Sequence, residues 1–300
     1  HDRIKEILQQ RQAGWQSNLA GSGHSYAMQT ASRGMSRQAQ LEYVRSGLPA
    51  LNALKDFLTH ASSDDTQWDK LATSLMDLHQ RLISLPKHAV IICEAEQTER
   101  LSNLIVDSWK DSQAPKIAEK ITNSDAGIED NIPSEFTELQ LDEALNGENT
   151  AAIEEVVVED LAWLVPTNVY HNASAYTVPA ADHPDTAALM VLAPYLRNGY
   201  LHSAIRERGG AYGGGAGYDA NACAFKFFSY RDPQCAETFM HFDASIEWLL
   251  NEPQTDEQLE EAILGIISGM DKPGSPAGEA IKACFADLHH RGVDWQRKMR

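Results

Sequence analysis

Arg206 and Tyr212 stand six residues apart in the stretch Ile205 to Ala220, which reads IRERGGAYGGGAGYDA. A guanidinium and a phenol hydroxyl can both donate hydrogen bonds to a peptide carbonyl, and two such donors aimed at one oxygen are what stabilises an oxyanion. Plainer roles fit as well, with Arg206 closing a helix and Tyr212 packing in a core, and residue type does not choose between them. Around the pair lie Gly209, Gly210, Gly213, Gly214, Gly215 and Gly217. Glycine inside a regular element costs about 0.5–1 kcal/mol relative to alanine. Such a run therefore points to a backbone that something approaches closely, as when an extended peptide lies along a sheet edge.

Other chemistries are poorly served. Phosphate sites use glycines that open a helix, whereas these follow one; the chain has no Gly-Lys-Ser/Thr, and G-x-G-x-x-G fails at Tyr218. None of the histidines has another at i+3 or i+4, and no His-x-x-Glu-His occurs, so no metal ligand set is expected in this chain. Glu237 and His241 fit a solvent-face pair. The G-x-S-x-G elbow of serine hydrolases does not occur.

Charge narrows the partners. Lys plus Arg number 25 against 43 Asp plus Glu, a formal charge of −18, which suits neither nucleic acid nor an anionic membrane and favours basic partners. No apolar run reaches the length of a membrane span. Cys93, Cys223, Cys235 and Cys284 show no CxxC spacing and read as free thiols in a reducing compartment. A cytoplasmic location is expected, with the mitochondrial matrix or another organelle as the alternative.

The elements that must position Arg206 and Tyr212 follow from periodicity. Residues 1–85 read as helices, HAVIICEAE as a buried strand, and QTERLSNLIVDSWKD as a further helix. From 113 to 153 the pattern dissolves into nine acidic residues against two lysines, an acidic linker. Strands are expected in EEVVVEDLAWLV and NVYHNASAYTVP. A helix follows from Asp182-His183-Pro184 to Arg208, kinked at Pro194 and interrupted at Asn198-Gly199. Next come a hairpin turning at Asp219-Ala220-Asn221 and two amphipathic helices, the second opening with a capping box from Thr255 to Gln258. The fold class is α+β, an antiparallel sheet with helices packed on one face. His1 falls inside a helical pattern and Asp294 reads as the cap of a short last helix, so the chain reads as a fragment.

The stretch LRNGYLHSAIRERGGAYGGGAGYDANACAFKFFSYRDP closely resembles the C-terminal domain of the presequence-protease type in the pitrilysin, or insulin-degrading-enzyme, family of inverted zinc metallopeptidases. Arg206 followed by Tyr212 within R-x-x-G-G-A-Y-G and the Phe-Phe-Ser-Tyr-Arg-Asp-Pro ending carry the match. GSGHSYAMQTAS and SGLPALNALKDFL resemble the preceding domain. The resemblance implies two pitrilysin-type (mitochondrial processing peptidase-like) units. Residues 1–112 would end the third domain, 113–153 would link, and 154–300 would form the fourth, of inactive type and truncated at its C-terminus. It further implies that zinc and its His-x-x-Glu-His helix belong to an N-terminal catalytic half, on the same or a separate polypeptide. Arg206 and Tyr212 would then reach a peptide substrate's carbonyl across the chamber, with Gly209, Gly210, Gly213, Gly214 and Gly215 lining its path. Alone, the chain is expected to be inactive. The alternatives are a non-catalytic scaffold subunit and an independent peptide-binding module.

Overall fold

The computed structural model describes residues 2–85, 89–110, 160–181, 183–272 and 274–288. The expected linker 113–153, Asp182 and the expected cap Asp294 lie outside them. Helices come first: α1 (Asp2–Ala31), α2 (Arg37–Ser46), α3 (Leu48–Ala61), α4 (Thr66–Ser84) and, after a short 3-10 turn, α5 (Thr98–Lys110). Strand β1 (Ala173–Thr177) follows, then α6 (Thr186–Leu196), which passes directly into a π-helical segment, Arg197–Arg208. The chain goes on through β2 (Gly213–Asp219), β3 (Ala224–Tyr230), α7 (Ala236–Asn251), α8 (Asp256–Asp271) and α9 (Pro276–Leu288). This is an α+β fold. The chain groups into two compact units, His1–Ala72 with Glu155–Arg300, and Thr73–Glu154. That grouping differs from a division at residues 112 and 154, because α1–α3 belong with the sheet.

Among the described residues the sheet is antiparallel with order β1-β3-β2, so β3 is central and β2 an edge. Phe225 and Phe227 of β3 point into a core with Leu196, Leu201, Ile205 and Phe242, where the rings of Phe227 and Phe242 lie 5.5 Å apart. Alternation sends Lys226, Phe228 and Tyr230 to the opposite face, and α1 covers it: His24 sits 5.6 Å from Phe228 and 4.8 Å from Tyr230, ring to ring. Helices thus lie on both faces of the sheet, not on one. A kink at Ser22 (φ −130, ψ 20) and the bare Gly23 allow this approach, since a Cβ on Gly23 would run into the His171 ring.

Several local expectations hold in detail. The hairpin turns at 219–223, where Asp219 Oδ1 accepts from the backbone N–H groups of Asn221 and Ala222 and Oδ2 pairs with Lys226 Nζ at 2.7 Å. Burial pushes the Asp219 carboxyl up, but the Lys226 hydrogen bond and the two backbone donors outweigh it and hold the group below the usual carboxylate range. The capping box from Thr255 to Gln258 is formed.

Others are corrected. Residues 89–94 form no strand: Val90 and Ile92 are exposed, and no described strand lies beside them to supply hydrogen-bond partners. In EEVVVEDLAWLV, residues 160–165 form no strand, and Trp163 and Val165 pack on Leu19, Leu48 and Leu51. The helix begins at Thr186, later than expected and without a side-chain cap, and continues through Asn198-Gly199 as the π-helical segment. Gly199 is bare because a Cβ there would meet the Trp248 ring, two atoms of it at 3.0 Å.

Candidate functional site

Ile205 is buried and anchors the last turns of the π-helical segment, so its neighbour Arg206 is carried to the exposed side. Wide turns are built into this end: the Gly209 N–H donates to the Ala204 carbonyl five residues back, at 3.0 Å, and the Ala211 N–H to Ile205 O at 3.1 Å. The first is an i→i+5 bond, a winding that recurs at functional sites, and the second spans six residues. The chain then reverses through Gly210, whose φ of +81 is a left-handed value that a side chain would strain. Ala211 is buried as the pivot, and Tyr212 emerges beyond it with 65% of its surface exposed.

Arg206 and Tyr212 therefore both lie on the surface, on either side of one glycine turn. Tyr212 is not a core residue. Its backbone N–H donates to Arg231 O at 3.3 Å, and its ring meets Tyr230 edge-on at 5.4 Å and 89°. Among the described residues no hydrogen bond engages its hydroxyl and no carboxylate pairs with Arg206.

The glycines divide. A Cβ on Gly209 would lie 2.6 Å from Ile205 O, on Gly214 2.9 Å from Ile205 Cγ2, and on Gly215 3.2 Å from the Arg197 stem. What approaches those backbones is the protein's own preceding helix. Gly213 and Gly217, in contrast, have nothing within 4 Å of where a Cβ would stand.

Beside the pair lies a cluster that sequence reasoning passed over. Arg231, left-handed at φ 48, places its guanidinium 5.4 Å from the centre of the Tyr230 ring. His171 is 5.6 Å from the same ring and 6.4 Å from His24. Burial lowers the basicity of both imidazoles; for His171 the nearby His24 and Arg231 add to this and Asp232 opposes it. The corner is fixed beneath by Asp232, which accepts from Thr238 Oγ1 at 2.7 Å, Gln234 N at 2.9 Å and Asn172 Nδ2 at 3.3 Å. The Tyr-Arg-Asp run that ends β3 was the available signal, but nothing in it tells which residue faces Tyr212.

Residues 160–290 match the family profile described as the PreP C-terminal domain, and residues 1–57 match that of a peptidase-associated domain. Over nearly its whole length the chain is similar to the C-terminal region of presequence proteases. The mitochondrial presequence protease of Aspergillus fumigatus is 30% identical over 294 residues, covering 96% of this chain and 25% of the relative. That of Eremothecium gossypii is 28% identical over 301 residues, covering 100% of the chain and 28% of the relative. That of Saccharomyces cerevisiae is 41% identical over 119 residues, 39% of the chain and 12% of the relative. The chain thus spans about a quarter of the length of its full-span relatives. These presequence-protease relatives support membership of a peptidase family. They also correct the expected cytoplasmic location, since their names place them in mitochondria. Free thiols report redox conditions, which do not specify a compartment.

Proposed function

We propose that this chain forms one wall of the chamber of a presequence-protease-like zinc metalloendopeptidase that degrades unstructured peptides, with Arg206 and Tyr212 donating to the scissile carbonyl oxygen. The observation that carries the reading is Tyr212 itself. It is a tyrosine held on the surface by a ring contact, one glycine turn after an exposed arginine, with its hydroxyl free among the described residues. Donors preorganised and unspent in this way favour a developing oxyanion over water reorganisation. Gly213 and Gly217 leave open positions along β2 for an extended substrate. Mitochondrial presequences are Arg-rich and poor in acidic residues, and a chain of charge −18 attracts them.

Among the described residues no group of three or more His, Cys, Asp or Glu comes together as a metal ion would require. In this reading zinc and its ligands belong to the N-terminal catalytic half, and the steps proposed here are those of Arg206 and Tyr212 alone. Tyr212→Phe in the complete peptidase tests this. Turnover of an unstructured basic peptide should fall about 10²–10³-fold with the fold intact. Near-parental turnover with only a lowered melting temperature would return Tyr212 to a structural role and favour a scaffold subunit.

A second reading, an independent peptide-binding module, draws on β2 being an edge strand. Binding of a labelled peptide by this chain alone would support it.

A further inference from the structure

We infer that Tyr230 is a positioning residue for the oxyanion donor: its ring sets the direction of the Tyr212 hydroxyl. This rests on the role proposed above for Tyr212. A tyrosine this exposed would ordinarily sample several rotamers, and a donor with an undefined direction contributes little to a transition state. Tyr212 has two tethers. The first is its backbone N–H on Arg231 O, which fixes where the side chain starts. The second is the edge-on ring contact with Tyr230, and among the described residues it is the only aromatic contact Tyr212 makes.

Tyr230 is itself clamped from three elements. His24 of α1 meets its ring at 4.8 Å, His171 before β1 at 5.6 Å, and the Arg231 guanidinium lies 5.4 Å from its centre. In the sheet it pairs directly across from Gly213.

The test is a double-mutant cycle in the complete peptidase. Tyr230→Leu is expected to lower kcat about tenfold with KM within about twofold, and Tyr230→Phe, which keeps the ring, to restore turnover. In a Tyr212→Phe background the same Tyr230→Leu change should cost no further kcat, because the hydroxyl being aimed is already gone. Tyr230→Met, which also removes the ring but is a milder apolar change, should give a similar kcat loss and covers the case in which Tyr230→Leu does not fold. Equal losses in both backgrounds, or a Tyr230→Phe enzyme as slow as Tyr230→Leu, overturn the inference while leaving Tyr212 as donor. A Tyr212→Phe enzyme with parental kcat removes the donor reading itself, and the positioning role falls with it.

Discussion

Ile205 occupies the place a side chain at Gly214 would need: an ideal Cβ there comes within 2.9 Å of Ile205 Cγ2 and 3.1 Å of Phe228 O. The helix that delivers Arg206 is thereby seated on the strand that follows Tyr212. Gly214→Val should cost about 1–3 kcal/mol through overpacking, seen as a lower melting temperature. Gly217→Ala, with open space at its Cβ, should melt close to the parent. Equal melting of the two variants would mean the helix is not so tightly seated.

Arg206→Lys keeps the charge and loses the planar fork of donors. In the complete peptidase it should lower kcat by about 10²-fold while KM changes little, the pattern of an interaction made mainly in the transition state. A rise in KM with kcat preserved would instead make Arg206 a ground-state substrate contact.

His24 Nδ1 and His171 Nε2 are buried without a hydrogen-bond partner among the described residues. Tyr230, Arg231 and Asp232 are the other titratable or charged groups at this contact. Folding holds both imidazoles neutral to a lower pH than the ordinary value of 6.5, so the unfolded chain takes up protons first on acidification. Their contribution to stability is whole above that value and is lost as the pH falls from it through the folded-state values. The melting temperature should therefore drop between about pH 7.5 and pH 5.5, and His171→Leu should flatten the profile. An unchanged slope in that variant would show that other groups govern the acid limb.

Asp232 is a buried carboxylate with three donors aimed at it. Asp232→Ala leaves those donors unsatisfied and should cost about 2–4 kcal/mol in chemical denaturation, with Asp232→Asn retaining part of the loss. If Ala and Asn cost the same small amount, the network does not fix the corner after β3.

The acidic stretch 113–153 is proposed as a linker, and limited proteolysis should cut there first. Because α1 packs on the face of the sheet formed by residues 173–230, the two products should stay associated in native buffer and part only in denaturant. Separation on a sizing column without denaturant would favour two independent folding units over the grouping of α1–α3 with the sheet.

Much of the local structure was written in short-range sequence. Thr255 and Gln258 cap a helix because their side chains reach backbone donors within one turn, and Asp219 closes the hairpin through N–H groups two and three residues on. That the helix carrying Arg206 stops in glycines before Tyr212 was legible too, although the left-handed position is Gly210 and not Gly209. Periodicity could not say which partner an apolar run would find. HAVIICEAE and EEVVVEDLAWLV have the composition of strands, but a strand exists only where another backbone offers hydrogen bonds, and the described parts of both runs are unpaired. Nor could glycine spacing distinguish positions closed by Ile205 and Arg197 from those left open at Gly213 and Gly217. Which face of β3 meets α1, and so which ring supports Tyr212, depends on contacts between residues far apart in the chain, such as His24 with Tyr230. Those contacts are set by packing across the sheet, and only the tertiary structure decides them.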